Sequence, residues 1–112
     1  MTARTLVLDA PPEVAARLAG DTRCVLGEDG TDEPVASVVR LCPPPASPFQ
    51  RQQLASDVRL AAIARAPVRY NAVILGDPAA TAELTRFLGQ AHAVTGQVLA
   101  ATPQPLDAEA LP

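Results

Sequence analysis

Two rhythms alternate along this chain: short unbroken apolar runs of strand length, and apolar stripes at three- and four-residue spacing. The first run, residues 5–9 (TLVLD), has the character of a buried central strand. Pro11 and Pro12 suit a first helical turn, Glu13 complements the N-terminal dipole, and Val14, Ala15 and Leu18 form a stripe that ends at Gly20. Further strands are predicted over residues 23–27 and 35–41 (VASVVRL). Residues 49–66 make the longest helix, with Leu54, Val58, Ala61 and Ala62 on one side, Leu60 and Ile63 widening the apolar sector, and Pro67 as the stop. Residues 68–75 form another strand-length run that ends at Gly76. Asp77 is a natural N-cap and Pro78 a natural first helical residue, so a helix begins there, with Ala80, Leu84, Phe87, Leu88 and Ala91 as its stripe. Gly96 breaks the pattern before a last short strand at 98–101. Strands alternating with helices in this way predict an α/β domain with a mostly parallel sheet of about five strands and three main helices.

The joins between these elements leave one direction open. From Gly27 to Val35 there is no room for a helix. A third strand parallel to the second, skipping across the first, requires a connection that runs back and sideways by roughly 25 to 30 Å, and about eight extended residues can just reach. An antiparallel edge strand is the alternative. The acidic cluster Glu28, Asp29, Asp32 and Glu33 around Gly30 lacks the spacing of a calcium loop and is expected to be a solvated turn. The proline-rich CPPPASP at 42–48 is a rigid connection, too short to separate domains. A single domain over 1–101 is expected, with an extended or disordered tail at 102–112.

Composition narrows the function classes. Of the 112 residues 48% are hydrophobic, with only two Phe, one Tyr and no Trp, so the core must be aliphatic. A net charge of −3 and near-absence of aromatics supply neither the basic patch nor the stacking platform that nucleic-acid binding needs. No apolar run approaches membrane-spanning length and no leader-like segment opens the chain, so a cytoplasmic protein is expected. Cys24 and Cys42 lack metal-ligand or redox spacing and are expected to be free, small buried hydrophobes. No metal site is expected.

Three segments carry a resemblance. VRYNAV at 68–73 with Gly76 after it, and Thr81 to Leu88 followed by VTGQVL at 94–99, resemble the sixth strand and the last helix and strand of the short-chain dehydrogenase/reductase family; LAAIARAP at 60–67 looks like the end of that family's long central helix. The resemblance implies a small Rossmann-like three-layer sandwich. It also implies where chemistry should lie, and there the chain departs from the family. The first β-α turn, Asp9-Ala10-Pro11-Pro12-Glu13, has no glycine, loses two N–H donors to proline and adds two carboxylates that repel phosphate. Counting back from Asn71 places the family's catalytic Lys near Phe49 and its Tyr near Pro45; the chain has no Lys at all, and its single Tyr70 falls in a strand. The family's substrate loop after the sixth strand is replaced by Gly76 leading directly into Asp77-Pro78. His92 has no partner at a spacing that would make it a base or ligand, and Ser37, Ser47 and Ser56 lack a nucleophile-elbow context.

A shortened, degenerate family member follows, with no catalytic residue and no cofactor expected. The parts retained best are those through which, in the family, subunits pair. The expectation is a pseudoenzyme acting through association, as a homodimer or as accessory subunit of a full-length reductase, with Leu54, Val58, Phe87, Leu88 and Val98 as candidate interface residues that are equally explicable as core. The alternative is a minimal NAD(P)-dependent oxidoreductase using Glu28 or Asp29 for the ribose. A third possibility is a ligand-binding module using the carboxyl ends of the strands.

Overall fold

The computed structural model describes residues 4–27 and 34–101. The acidic turn around Gly30, with Glu28 and Asp29, and the tail at 102–112 lie outside the described residues. Five strands and three helices follow one another as β1 (Thr5–Leu8), α1 (Pro12–Leu18), β2 (Cys24–Gly27), β3 (Ser37–Cys42), α2 (Pro48–Arg65), β4 (Arg69–Ile74), α3 (Pro78–Gln90) and β5 (Val98–Ala100). The strands form one sheet in the order β2-β1-β3-β4-β5, and every pairing is parallel. This is a Rossmann-like α/β arrangement. The strand whose direction was open runs parallel: Thr5 is level with Cys24 on one side and Ser37 on the other, and Ser37 is level with Arg69.

Helices cover both faces. On one, Val7, Val39, Leu41 and Val73 of the sheet meet Val14 and Leu18 of α1 and Ala82 and Leu88 of α3. On the other, Leu6, Leu8, Val38, Tyr70 and Ala72 meet Val58 and Ala62 of α2. The inner strands β1 and β4 are buried along their whole length because helices lie on both sides of them, which explains unbroken apolar runs where a half-exposed strand would alternate. The short edge strands β2 and β5 are only partly buried.

Local caps set where the helices start. Asp77 Oδ2 accepts from the N–H groups of Ala79 and Ala80, both at 3.1 Å, as its position before Pro78 predicts. Ser47 caps α2: its Oγ accepts from Gln50 N at 3.1 Å, and Gln50 Oε1 accepts in return from Ala46 N at 2.8 Å, a reciprocal pair of the capping-box kind.

The apolar sector of α2 is narrower than its sequence implies. At about 100° per residue, Leu60 and Ile63 lie about 200° and 140° around the helix from buried Val58, and Phe49 about 180°. All three point away from the sheet. On α3 the buried face contains Thr81 and Thr85 beside Ala82 and Leu88. Their hydroxyls are satisfied locally, Thr85 Oγ1 donating to Thr81 O at 2.8 Å and Thr81 Oγ1 accepting from Gly76 N at 3.1 Å. Phe87, about 100° from Leu88, is turned outward instead.

Candidate functional site

In an open parallel sheet the natural crevice lies outside the carboxyl ends of the strands, where successive connections leave in opposite directions. Here that point falls between β1 and β3, and an ion pair spans it: Arg40 Nε lies 3.6 Å from Asp9 Oδ2. Asp9 adopts φ 61°, the left-handed conformation that glycine takes freely and aspartate tolerates among the few. The first β-α turn thus has a left-handed residue at Asp9, and what it presents there is a carboxylate. The start of α1 adds little to attract an anion: Pro11 occupies its N-cap without a side-chain cap bond and Pro12 its first turn. Beside the pair, the Cys42 thiol is pushed above its usual range, first by burial and also by the Asp9 carboxylate, with Arg40 opposing. It is a neutral packing group.

Tyr70 is buried on the α2 side of the sheet, with the Arg65 guanidinium 5.1 Å from its ring centroid. The residues marked as interface candidates are dispersed. Val58 and Leu88 are fully buried within the protomer, and Leu54 and Val98 are half-buried against the core beneath α2. Phe87 is 56% exposed and lines a shallow groove between α3 and β5 with Leu84 and Ala101. The outward face of α2 carries the larger apolar surface: Phe49, Leu60 and Ile63 are 70%, 63% and 69% exposed.

At the opposite end of the sheet, where β1 and β2 begin, lies a half-open cavity of about 230 Å³. Its floor is Thr5 and Cys24, level with each other on adjacent strands, and its wall is the last two turns of α3 with Thr85 and Gly89. Gly89 lets α3 approach β1 closely: a Cβ at that position would lie 2.6 Å from Thr5 Oγ1, and the threonine side chain would have to shift. Charged groups surround the mouth. Asp21, from the loop between α1 and β2, holds Arg23 Nε at 3.4 Å through one oxygen and Arg86 Nε at 3.3 Å through the other. The Arg23 backbone N–H, donated to the same carboxylate at 2.9 Å, is the main reason the Asp21 carboxyl titrates below its ordinary range. Burial first, and then Asp21, push the Cys24 thiol up. Three separate segments, residue 5, residues 21–24 and residues 85–92, build this site and no periodicity joins them, which is why a reading along the chain passes over it. Cys24 and Cys42 are both free. Among the described residues no group of three or more His, Cys, Asp or Glu is placed to hold a metal, and no helix is long and apolar enough to cross a membrane.

The two best family-like segments prove to be partners. Arg69 of β4, 9% exposed, sends its guanidinium to the C-terminus of α3, donating to Leu88 O at 3.0 Å, Ala91 O at 2.9 Å and Gly89 O at 3.3 Å. Asn71, two residues on and on the same face, donates to Val94 O and accepts from Gln97 N, each at 3.0 Å. Between them Tyr70 exchanges main-chain and side-chain bonds with Thr95 and Gly96. VRYN and VTGQ are thus the two sides of one seam that fixes the last helix and strand to the sheet. No curated protein matches the chain, and no solved structure does. The family model of short chain dehydrogenase-like proteins (SDR-like) matches residues 5–101, nearly all of the described fold, and the chain belongs to that family.

Proposed function

We propose that this protein is a non-catalytic member of the SDR-like family that works by association, pairing with a second copy of itself through the outward face of α2. The observation that carries the reading is the exposed apolar stripe of Phe49, Leu60 and Ile63 on a helix already anchored by its other side. Single exposed apolar residues are ordinary, but three of this size along one line of one helix are not. Their spacing favours a copy of the same helix as occupant. Phe49 and Ile63 lie at equal sequence distance on either side of Ser56, so an antiparallel crossing with its two-fold axis at that small residue sets each Phe49 against the partner's Ile63. The sequence supports absence of chemistry: there is no Lys, and the turn after β1 carries Asp9 and two prolines where a pyrophosphate needs glycine and N–H donors.

Sedimentation equilibrium tests the pairing. A dimer is expected for the natural chain at micromolar concentration, and Ile63→Glu is expected to give a folded monomer with unchanged far-UV circular dichroism, since the residue is 69% exposed, and a melting temperature that no longer depends on protein concentration. A monomeric natural chain, or a dimer indifferent to Ile63→Glu and Leu60→Glu, overturns the proposal. A stoichiometric full-length dehydrogenase recovered with the tagged chain from its source cells replaces the second copy by that partner. Titration with NADH and NADPH, read by cofactor fluorescence, tests the other half: saturable micromolar binding refutes the non-catalytic reading.

A further inference from the structure

We propose that the cavity at the amino ends of β1 and β2 is a binding site for a small carboxylic acid with a compact apolar body. The site is distinct from the carboxyl-end crevice and from the α2 face, and stands whether or not the chain dimerises.

The volume sets the size of the ligand. An apolar cavity of about 150 Å³ accepts a benzene ring, and 230 Å³ leaves space for one polar substituent beside a ring of that size. The interior sets its character: half-buried Cys24 and Gly89 bring a thiol and a bare Cα to it, and Thr5 and Thr85 lie buried behind them. Thr85 Oγ1 already gives its proton to Thr81 O within α3 and offers no donor to a ligand. An apolar body fits these walls and an interior charge does not.

The mouth sets the charge. Arg23 and Arg86 stand there against the one carboxylate of the lining residues, Asp21, both of whose oxygens are engaged by the guanidinium Nε groups. Two helices also end at this side of the sheet, and their unpaired carbonyls would ordinarily repel an anion. Here several of those carbonyls are answered. Arg69 takes Leu88 O, Gly89 O and Ala91 O at the end of α3; Arg86 donates to Arg17 O and Asp21 N to Leu18 O at the end of α1. What remains for a ligand is the outer Nη side of Arg23, whose side chain is 53% exposed. A carboxylate can meet that edge while its apolar body enters between β1 and α3.

The test uses benzoate and its neutral isostere benzamide against the full-length chain, followed by ¹H–¹⁵N shifts. Benzoate is expected to give saturable shifts at Thr5, Cys24, Thr85, Arg86 and Gly89 and to bind about tenfold more tightly than benzamide, the difference a charge-assisted pair supplies. In Arg23→Gln the two are expected to bind alike, with far-UV circular dichroism unchanged. Benzoate is also expected to slow alkylation of Cys24 by iodoacetamide and leave Cys42 unaffected. No saturable shift up to about 10 mM, equal affinity for benzoate and benzamide in the natural chain, or shifts centred on Asp9 and Arg40 would each overturn the assignment.

Discussion

Replacing Arg69 by Met keeps most of the aliphatic volume and removes the guanidinium, and its cost follows from what that group holds. Helix α3 has no basic residue in its own last turn, so the positive end that complements its dipole comes entirely from β4. Three carbonyls, those of Leu88, Gly89 and Ala91, lose a donor at once. Bonds to a charged group are worth about 1.5–3 kcal/mol each, but three to one buried cation do not add, and removing it recovers part of its own desolvation cost. Ala91 O also keeps Val94 N at 3.0 Å. The net loss is about 3–5 kcal/mol, a large share of the 5–15 kcal/mol that holds a domain of this size. Arg69→Lys keeps the charge but offers a point donor in place of a planar fork, and about half the loss is expected. Urea unfolding followed by far-UV circular dichroism measures both, and hydrogen exchange locates the change at amides 88–97. A loss below about 1 kcal/mol in Arg69→Met would refute the argument, because it would mean that water satisfies these carbonyls as well as the guanidinium does.

Two further outcomes are expected. Gly96 sits at φ 76° with Ala62 Cβ 3.6 Å from where its own Cβ would be, an ordinary contact, so Gly96→Ala should cost about 1–2 kcal/mol through backbone strain alone, and Gly96→Asn distinctly less; equal losses in the two variants would point to packing instead. The depressed Asp21 carboxyl contributes stability that is present above its unfolded value of 3.8 and is lost as pH falls through the lower folded value; unfolding free energy measured between pH 6 and 2 should therefore drop at the acid end, and less steeply in Asp21→Asn.

Much of this fold is legible along the chain because the cues for each element are short-range. Asp77-Pro78 announces α3 in two residues, and the buried runs of β1 and β4 announce inner strands. The direction of β3 is not local: it depends on Ser37 coming level with both Thr5 and Arg69, residues more than thirty positions away on each side. Threonines 81 and 85 read as polar yet lie inside, since a hydroxyl bonded within its own helix or to the preceding turn can be buried at small cost. Leu60 and Ile63 read as core yet lie outside, because nothing in the apolar pattern says how wide a strip of helix the sheet will cover. The amino-end cavity was hidden for a different reason. Its ion pairs join Asp21 to Arg86 across 65 positions, and Gly89, which lets α3 approach β1 there, looks in sequence like a helix weakness.

The strand order has a consequence for how the chain must assemble. β1 precedes the other strands in sequence, yet it is an inner strand with β2 on one side and β3 on the other. A nascent chain emerging from the ribosome can close the β1-α1-β2 pairing early, but that pair leaves one long side of β1 without hydrogen-bond partners until β3 is available. Once β3 docks, β4 and β5 add outward in sequence order, each through a single intervening helix. The pairing of β3 with β1 closes a loop as long as the one that later brings β4 to β3, but it has to come first, because β3 supplies the edge on which β4 forms. Residues 34–42 are consequently the segment on which the open edge of β1 depends, and a ribosome pause placed before them would leave that edge unpaired for longer than the same pause placed before β4 or β5.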